Sequence, residues 1–453
     1  MSRKIAKNSL SSGRLLVLLS LLSLVSRPAG AVLMTGRFSV GGFASQETFK
    51  DNQSGSTSND FETFSTRMYL KLQKLGAFDA VLDLRDTHDF FDKLDAERLH
   101  LVGANSFQVR EADIRYPSPG FYTNLGRFSI LEAGSANVDG AEVGSHLTQN
   151  LRLGLFGGHN PRRPDDYYMR SDTPDVDYGA YLSYHSPGIS WQRLFNGSLA
   201  YFSNSVNGFT DRSYLFTNSL YQWDTNSRII SNIYLDFVPR TFIQNGNLIY
   251  QQGINPNLDS TMTLLAFDTI EYSRRTGLLQ QLPSSPYHEA SLATRYRLSS
   301  NSRWLNEVRY GERIADSRKL EQVRTGMNWI GAFSRNIDMT AYFGYRDEFI
   351  SNGPLGYFEA NYFSRVWEFG FDVDGSVQQR FDSNLSSPRT IHPLTTELSV
   401  ARIFSNALFV TTSVQYAQNE LVTIFSAFFT LSYRFGTHDM APLRDGAPPR
   451  RSL

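Results

Sequence analysis

Cysteine is absent from all 453 residues. Its absence removes disulfide staples, thiolate metal sites and covalent haem attachment through Cys-x-x-Cys-His, so no cofactor is expected on this chain. An excess of one charge is also missing, since basic and acidic residues number 44 each. Without residues 1–31, which hold five basic groups and no acid, 39 basic and 44 acidic residues remain, a net of −5. That excludes a polybasic nucleic-acid binder. Catalytic motifs are lacking too, with neither Gly-x-Ser-x-Gly nor His-Glu-x-x-His present. His88-Asp89, at a strand-to-loop boundary, is the one dipeptide suited to a hydrolase site, and no enzyme is expected from it.

Long apolar runs are scarce as well. Leu15 to Val25 is the longest, and it falls short of the roughly 20 residues that a helical span needs. Arg3, Lys4, Lys7 and Arg14 precede it, and Ala29-Gly30-Ala31 follows as a small-x-small cleavage pattern. Residues 1–31 therefore read as a secretory signal peptide.

What the chain does have is alternation. With 23 Tyr and 33 Phe its mean hydropathy is still below zero. Phe64 to Leu72, Phe78 to Arg85, Asn336 to Arg346 and Trp367 to Phe381 each place apolar and polar residues on alternate positions. A period of two gives strands with one apolar and one wet face. Ions at mid-strand on the wet face argue against a soluble core and for a membrane barrel with a polar interior.

Connections alternate as well. Short links near Gly76, Pro117–Gly120, Thr148–Asn150 and Ser186–Gly188 separate longer polar ones, among them Gln46–Asp60, Glu132–Asn137 and Gly158–Val176. Short periplasmic turns and long outer loops are the expected arrangement. Even strand parity requires one weak strand within Thr241 to Gln252, and about 22 strands result, with 18 to 20 as the fallback. The domains are then 1–31 as signal peptide, 32–435 as barrel and 436–453 as an unstructured periplasmic tail.

If apolar residues face lipid, Asp79, Asp83 and Arg127 face the lumen from the first half. Arg295, Arg297, Arg309, Arg313, Arg324 and Arg346 do so from the second, with Glu368, Asp372 and Asp374 as an acidic group. These charges either pair across strands or set a field that orients ionic solutes. The loop Gly158–Val176, with Asp165, Asp166, Asp172 and Asp175, is a solvated outer loop or a constriction; its oxygen atoms lack a diagnostic calcium spacing.

Val422 to Phe435 alternates Phe425, Phe429, Leu431, Tyr433 and Phe435 against a more polar set. Leu431, Tyr433 and Phe435 resemble the closing-strand signal of bacterial outer-membrane β-barrels, although 18 residues follow it here. That resemblance implies an all-β transmembrane antiparallel barrel in the outer membrane of a Gram-negative bacterium, surrounded by lipid and inserted by the barrel-assembly machinery. Leu125 to Val143, a Gly-Arg-aromatic strand, a short loop and Asp-Gly-Ala, resembles a hairpin of porin-like proteins, including the barrel subunits of porin–cytochrome electron conduits. The expected role is a porin-like channel for small hydrophilic solutes. The alternative is a sheath around a multihaem c-type cytochrome, which would have to be a separate protein.

Overall fold

The computed structural model describes residues 32–51, 55–89, 105–161, 175–186, 193–238, 241–268, 286–314, 316–349, 351–380 and 389–436. The expected signal peptide at 1–31, the expected tail after 436 and most of the 158–176 loop lie outside the described residues. Strands follow one another from β1 (Leu33–Asp51), β2 (Gly55–Leu75), β3 (Phe78–Asp89), β4 (Asn105–Pro117) and β5 (Phe121–Ile130) to β6 (Ala136–His146). Next come β7 (Leu151–His159), β8 (Asp175–His185), β9 (Leu194–Val206), β10 (Phe209–Asp224), β11 (Ser227–Val238) and β12 (Phe242–Asn255). Then come β13 (Leu258–Phe267), β14 (Tyr287–Arg297), β15 (Ser302–Arg313), β16 (Lys319–Ile330), β17 (Ile337–Asp347) and β18 (Ser351–Phe363). The series ends with β19 (Trp367–Ser376), the three-residue pair β20 (Gln378–Arg380) and β21 (Arg389–Ile391), β22 (Leu394–Ile403), β23 (Leu408–Gln418) and β24 (Val422–Gly436).

Every wall strand pairs antiparallel with the next. β19 pairs with β22, so β20 and β21 form a small projection and 22 strands make the wall. β24 closes on β1 in unbroken register from Thr35↔Gly436 to Phe49↔Val422. Closure is what membrane insertion demands of strands, because an open edge would leave backbone groups without partners in hydrocarbon. The weak segment within Thr241–Gln252 is a full strand, β12. Its Asn245, Gly246 and Asn247 dilute the apolar period, but pairing on both sides holds it.

Alternation fixes the two faces. On β17, Phe343 (67% exposed) and Tyr345 (52%) lie on one side, with Thr340, Tyr342 and Arg346 on the other. On β14, exposed Leu292 and Tyr296 alternate with Glu289, Arg295 and Arg297. Exposed Leu153, Leu155, Leu182, Leu199 and Tyr201 continue the apolar face through β7, β8 and β9. In water such a continuous apolar surface would drive association; in lipid it is the lateral face of an outer-membrane-type barrel. The β9–β10 turn is Asn207-Gly208, both at positive φ (52° and 78°). Asn-Gly is the sequence that this tight hairpin turn favours.

Candidate functional site

One hairpin leaves the wall. β4 pairs with β5 only from Pro117↔Tyr122 to Ala112↔Arg127, and β6 pairs with β7 only from His146↔Arg152 to Asp139↔His159. β5 and β6 nevertheless stay paired with each other up to Ile130↔Ala136. Phe128 to Val138 is thus a projecting tip, joined by a short 3-10 turn at Leu131–Ala133. The connection Glu132–Asn137, expected as a polar outer loop, instead folds into the barrel. Its physical cause is apolar. Phe128, Ile130, Ala133, Ala136 and Val138 are buried against Phe156, Tyr181, Ala200, Phe202, Tyr214 and Phe216 of the wall.

The inner face of β7 to β11 is therefore aromatic, which corrects the expectation that aromatics are reserved for lipid. Packing is dense there: the Phe202 and Tyr214 rings stack 4.7 Å apart, and Phe216 and Tyr234 meet at 4.6 Å. Polar tips are satisfied by the hairpin backbone. Tyr214 Oη donates to the Ala133 carbonyl at 3.1 Å, Tyr234 Oη to Gly134 at 2.9 Å and Ser198 Oγ to Glu132 at 3.1 Å.

The bend has a specific construction. Gly126 and Gly140 face each other across the hairpin. Gly126 adopts φ +126°, where a Cβ would strike the Ala112 carbonyl, and a Cβ on Gly140 would strike the Gly157–Gly158 backbone. Directly above them Arg127 donates to both oxygen atoms of Asp139, with Nε at 2.6 Å, and Nη1 donates to the Val109 carbonyl at 2.7 Å. The guanidinium thus ties the hairpin to the β4 edge that the departing strand leaves behind.

Below the tip a cavity of about 360 Å³ is lined by Arg115, Tyr122, Asn124, Glu132, Glu142 and Arg152 among others. Arg152 pairs with Glu132 of the tip and lies under the Tyr122 and Tyr181 rings, 4.9 and 5.4 Å from their centres. Tyr181 Oη donates to Glu142 and meets Tyr122 Oη at 2.5 Å. Arg115 binds Asp113 at 2.6 Å and Glu111 at 2.5 Å. Paired charges, phenols and an amide around this cavity can hydrogen-bond and orient a polar solute.

Several of the charges read from the sequence have a partner. Asp83 is bound by Arg67 at 2.8 Å, Arg309 by Glu289 at 2.9 Å and Arg324 by Glu307 at 2.9 Å. Arg313 is held by Asp316 (2.7 Å) and Arg346 by Glu348 (3.1 Å). Asp79 accepts the Lys74 backbone N–H at 2.9 Å. Asp372 lies in direct register between Glu359 and Glu397, Asp374 is opposite Tyr357 and Glu368 opposite Phe363. Arg295 and Arg297 form no ion pair among the described residues. All of these alternate with the exposed apolar positions of their strands. Arg127 departs from the expectation: its register is that of exposed Leu125, and it is a buried structural ion pair rather than a free lumen charge.

Leu431, Tyr433 and Phe435 share one side of β24 and pair with Val40, Phe38 and Gly36 of β1. His88 bonds Asp86 at 3.0 Å. Glu132, Glu142, Arg152, Tyr122 and Tyr181 escaped sequence reading. The signal that could have found the hairpin was the symmetric Gly126-Arg127 and Asp139-Gly140.

No protein-family model and no curated protein matches the sequence. Among solved structures, Pseudomonas aeruginosa OpdQ is similar over 89% of this chain and 98% of its own, with 8% identity and a TM-score of 0.44. Acinetobacter baumannii OccAB4 gives the same coverages at 7% identity and 0.44. The translocation pore of the P pilus usher PapC covers 87% of this chain and 99% of its own, at 10% and 0.39. At such values the likeness is one of general shape, and function is read from this chain's own geometry.

Proposed function

We propose that this barrel is a non-catalytic, porin-like channel of the Gram-negative outer membrane that passes small hydrophilic solutes. The observation that carries the reading is the hairpin tip lying against β8 to β10, which narrows the interior from one side and presents Arg152, Glu132 and Glu142 to a wet cavity. A wall of 22 strands encloses a wide lumen unless something fills part of it. Here the chain supplies part of that filling itself. The lumen-lining set is Asp79, Asp83, Arg295, Arg297, Arg309, Arg313, Arg324, Arg346, Glu368, Asp372 and Asp374, with Asp83, Arg309, Arg313, Arg324 and Arg346 ion-paired, and these charges keep the wall wet. Short turns face the periplasm, and Leu431, Tyr433 and Phe435 serve the assembly machinery.

A sheath around a multihaem cytochrome is the second reading. The inward tip disfavours it, because a threaded partner would have to share the lumen with Phe128 to Val138. The deciding experiment is a planar-bilayer recording of the purified protein. Single-channel currents with no haem absorbance support the channel; silent bilayers with a stoichiometric co-purifying haem protein overturn it.

A further inference from the structure

Two pairs of arginines stand directly opposite one another at the short-turn end of the barrel. Arg37 of β1 is in register with Arg434 of β24, and Arg297 of β14 with Arg303 of β15. Like charges on directly opposed positions destabilise a sheet, so an acid beside each pair would be expected. None is there: the outer neighbours in register are Tyr69 beside Arg37 and Asn328 beside Arg303. Arg37 donates to Ser432 Oγ at 3.0 Å and lies over the Phe409 ring. Among the described residues none of the four forms an ion pair.

In the opposite half of the wall, by comparison, Arg212, Arg309, Arg313, Arg324 and Arg346 each have a carboxylate. At the short-turn end Arg295 and Arg228 add to the inner face, and exposed Lys74, Arg335 and Arg365 lie on or beside the turns. Three acids at this end are tethered to turn backbone: Asp79 accepts from Lys74 N–H at 2.9 Å, Asp224 from Asn226 N–H at 2.7 Å and Asp338 from Gly331 N–H at 2.9 Å; Asp113 and Glu111 are held by Arg115, and Glu142 accepts from Tyr181. Asp259, in register with Arg295, and Glu368 are further acids of this end.

We infer that this mouth is a docking surface for an acidic polypeptide segment of a separate protein, held by Arg37/Arg434 on one side and Arg297/Arg303 on the other. Both pairs alternate with exposed apolar residues, Arg434 with Tyr433 and Arg297 with Tyr296, and so point away from lipid. They also lie on well-separated arcs of the wall. Strand spacing and tilt give a 22-strand barrel a diameter of roughly 40 Å, too wide for one small anion to bridge. A chain with several carboxylates spans that distance, and a basic mouth steers it in. The inference goes beyond the channel reading and does not require conductance.

The test uses the full barrel in non-ionic detergent and a fluorescent 20-residue polyglutamate peptide, followed by anisotropy. Binding is expected at 50 mM NaCl and should weaken steeply by 300 mM. Replacing Arg37, Arg434, Arg297 and Arg303 by Gln should weaken it at least tenfold, and each pair alone should lose part of that. Lys50→Gln with Lys319→Gln, at the opposite end, matches the charge change of either pair variant, and heat-modifiable gel migration verifies folding of every variant. Absence of binding at 50 mM, or equal loss in the control, overturns the proposal. Displacement of the peptide by phosphatidylglycerol in the micelle as readily as by unlabelled peptide would make the surface a headgroup site and equally overturn it.

Discussion

Gly126 and Gly140 face each other on adjacent strands at the level where the β5–β6 hairpin parts from its wall neighbours. No side chain fits at either position, and one of them needs positive φ. Gly126→Val should therefore hold the strand in an extended path and keep the tip out of the lumen, or block assembly. In bilayers the expected outcome is a larger unit conductance together with a lower yield of heat-modifiable barrel. Unchanged conductance from a fully folded variant would show that the tip does not narrow the pore.

The neighbouring ion pair should be structural. Arg127 and Asp139 are nearly enclosed, at 6% and 7% side-chain exposure. Removing one partner strands a buried charge, which costs about 3–5 kcal/mol. Arg127→Ala or Asp139→Ala should lower stability by that order in urea titrations in detergent. The double substitution should recover part of the loss, and additive losses would show that the two charges do not interact.

Much of this fold was legible because a barrel writes its two faces into every strand. The alternation of Phe343 and Tyr345 with Arg346, or of Leu292 and Tyr296 with Arg295, needs no tertiary information. β12 was readable only through parity, because Asn and Gly interrupt its period. The candidate site was hidden for the opposite reason. Phe156, Tyr181, Phe202 and Tyr214 look like any other barrel aromatics, and only the folded hairpin turns them into an interior platform. Arg127 was misplaced because a rule of alternation assumes that the strand stays in the wall.

A loop contact gives a pH dependence. Glu420 accepts the His392 backbone N–H at 3.0 and 2.9 Å and also meets the imidazole. Slight desolvation pushes its carboxyl up, but the His392 hydrogen bonds outweigh it and hold the group below the usual carboxylate range. A lowered carboxylate pKa stabilises above the unfolded value of about 4.3 and ceases to do so as pH falls through the folded one. Amide-exchange protection at His392 should accordingly be full at pH 6 and decline below about pH 4. Glu420→Gln should flatten that dependence; a profile identical to the parent would assign it elsewhere.

The seam between first and last strands offers the final prediction. Tyr433 and Phe435 stack at 6.2 Å on one face of β24, opposite Phe38 and Gly36. A Cβ on Gly36 would collide with the Phe435 ring, so that ring lies flat across the strand that completes the cylinder. Closure pairs residues almost 400 positions apart in sequence, and forming it requires every other strand to be in place. Deleting the ring removes packing at the last contact made. Phe435→Ala and Tyr433→Ala should therefore slow folding into phospholipid vesicles several-fold while leaving early strand formation, followed by far-UV circular dichroism, unchanged. Gly36→Leu should act in the same direction by displacing the ring. Truncation after Gly436 should leave the rate untouched, since β24 ends there and its pairing with β1 already closes the wall. If truncation abolishes folding and the three substitutions do not slow it, assembly is directed by the tail rather than by the β1–β24 seam.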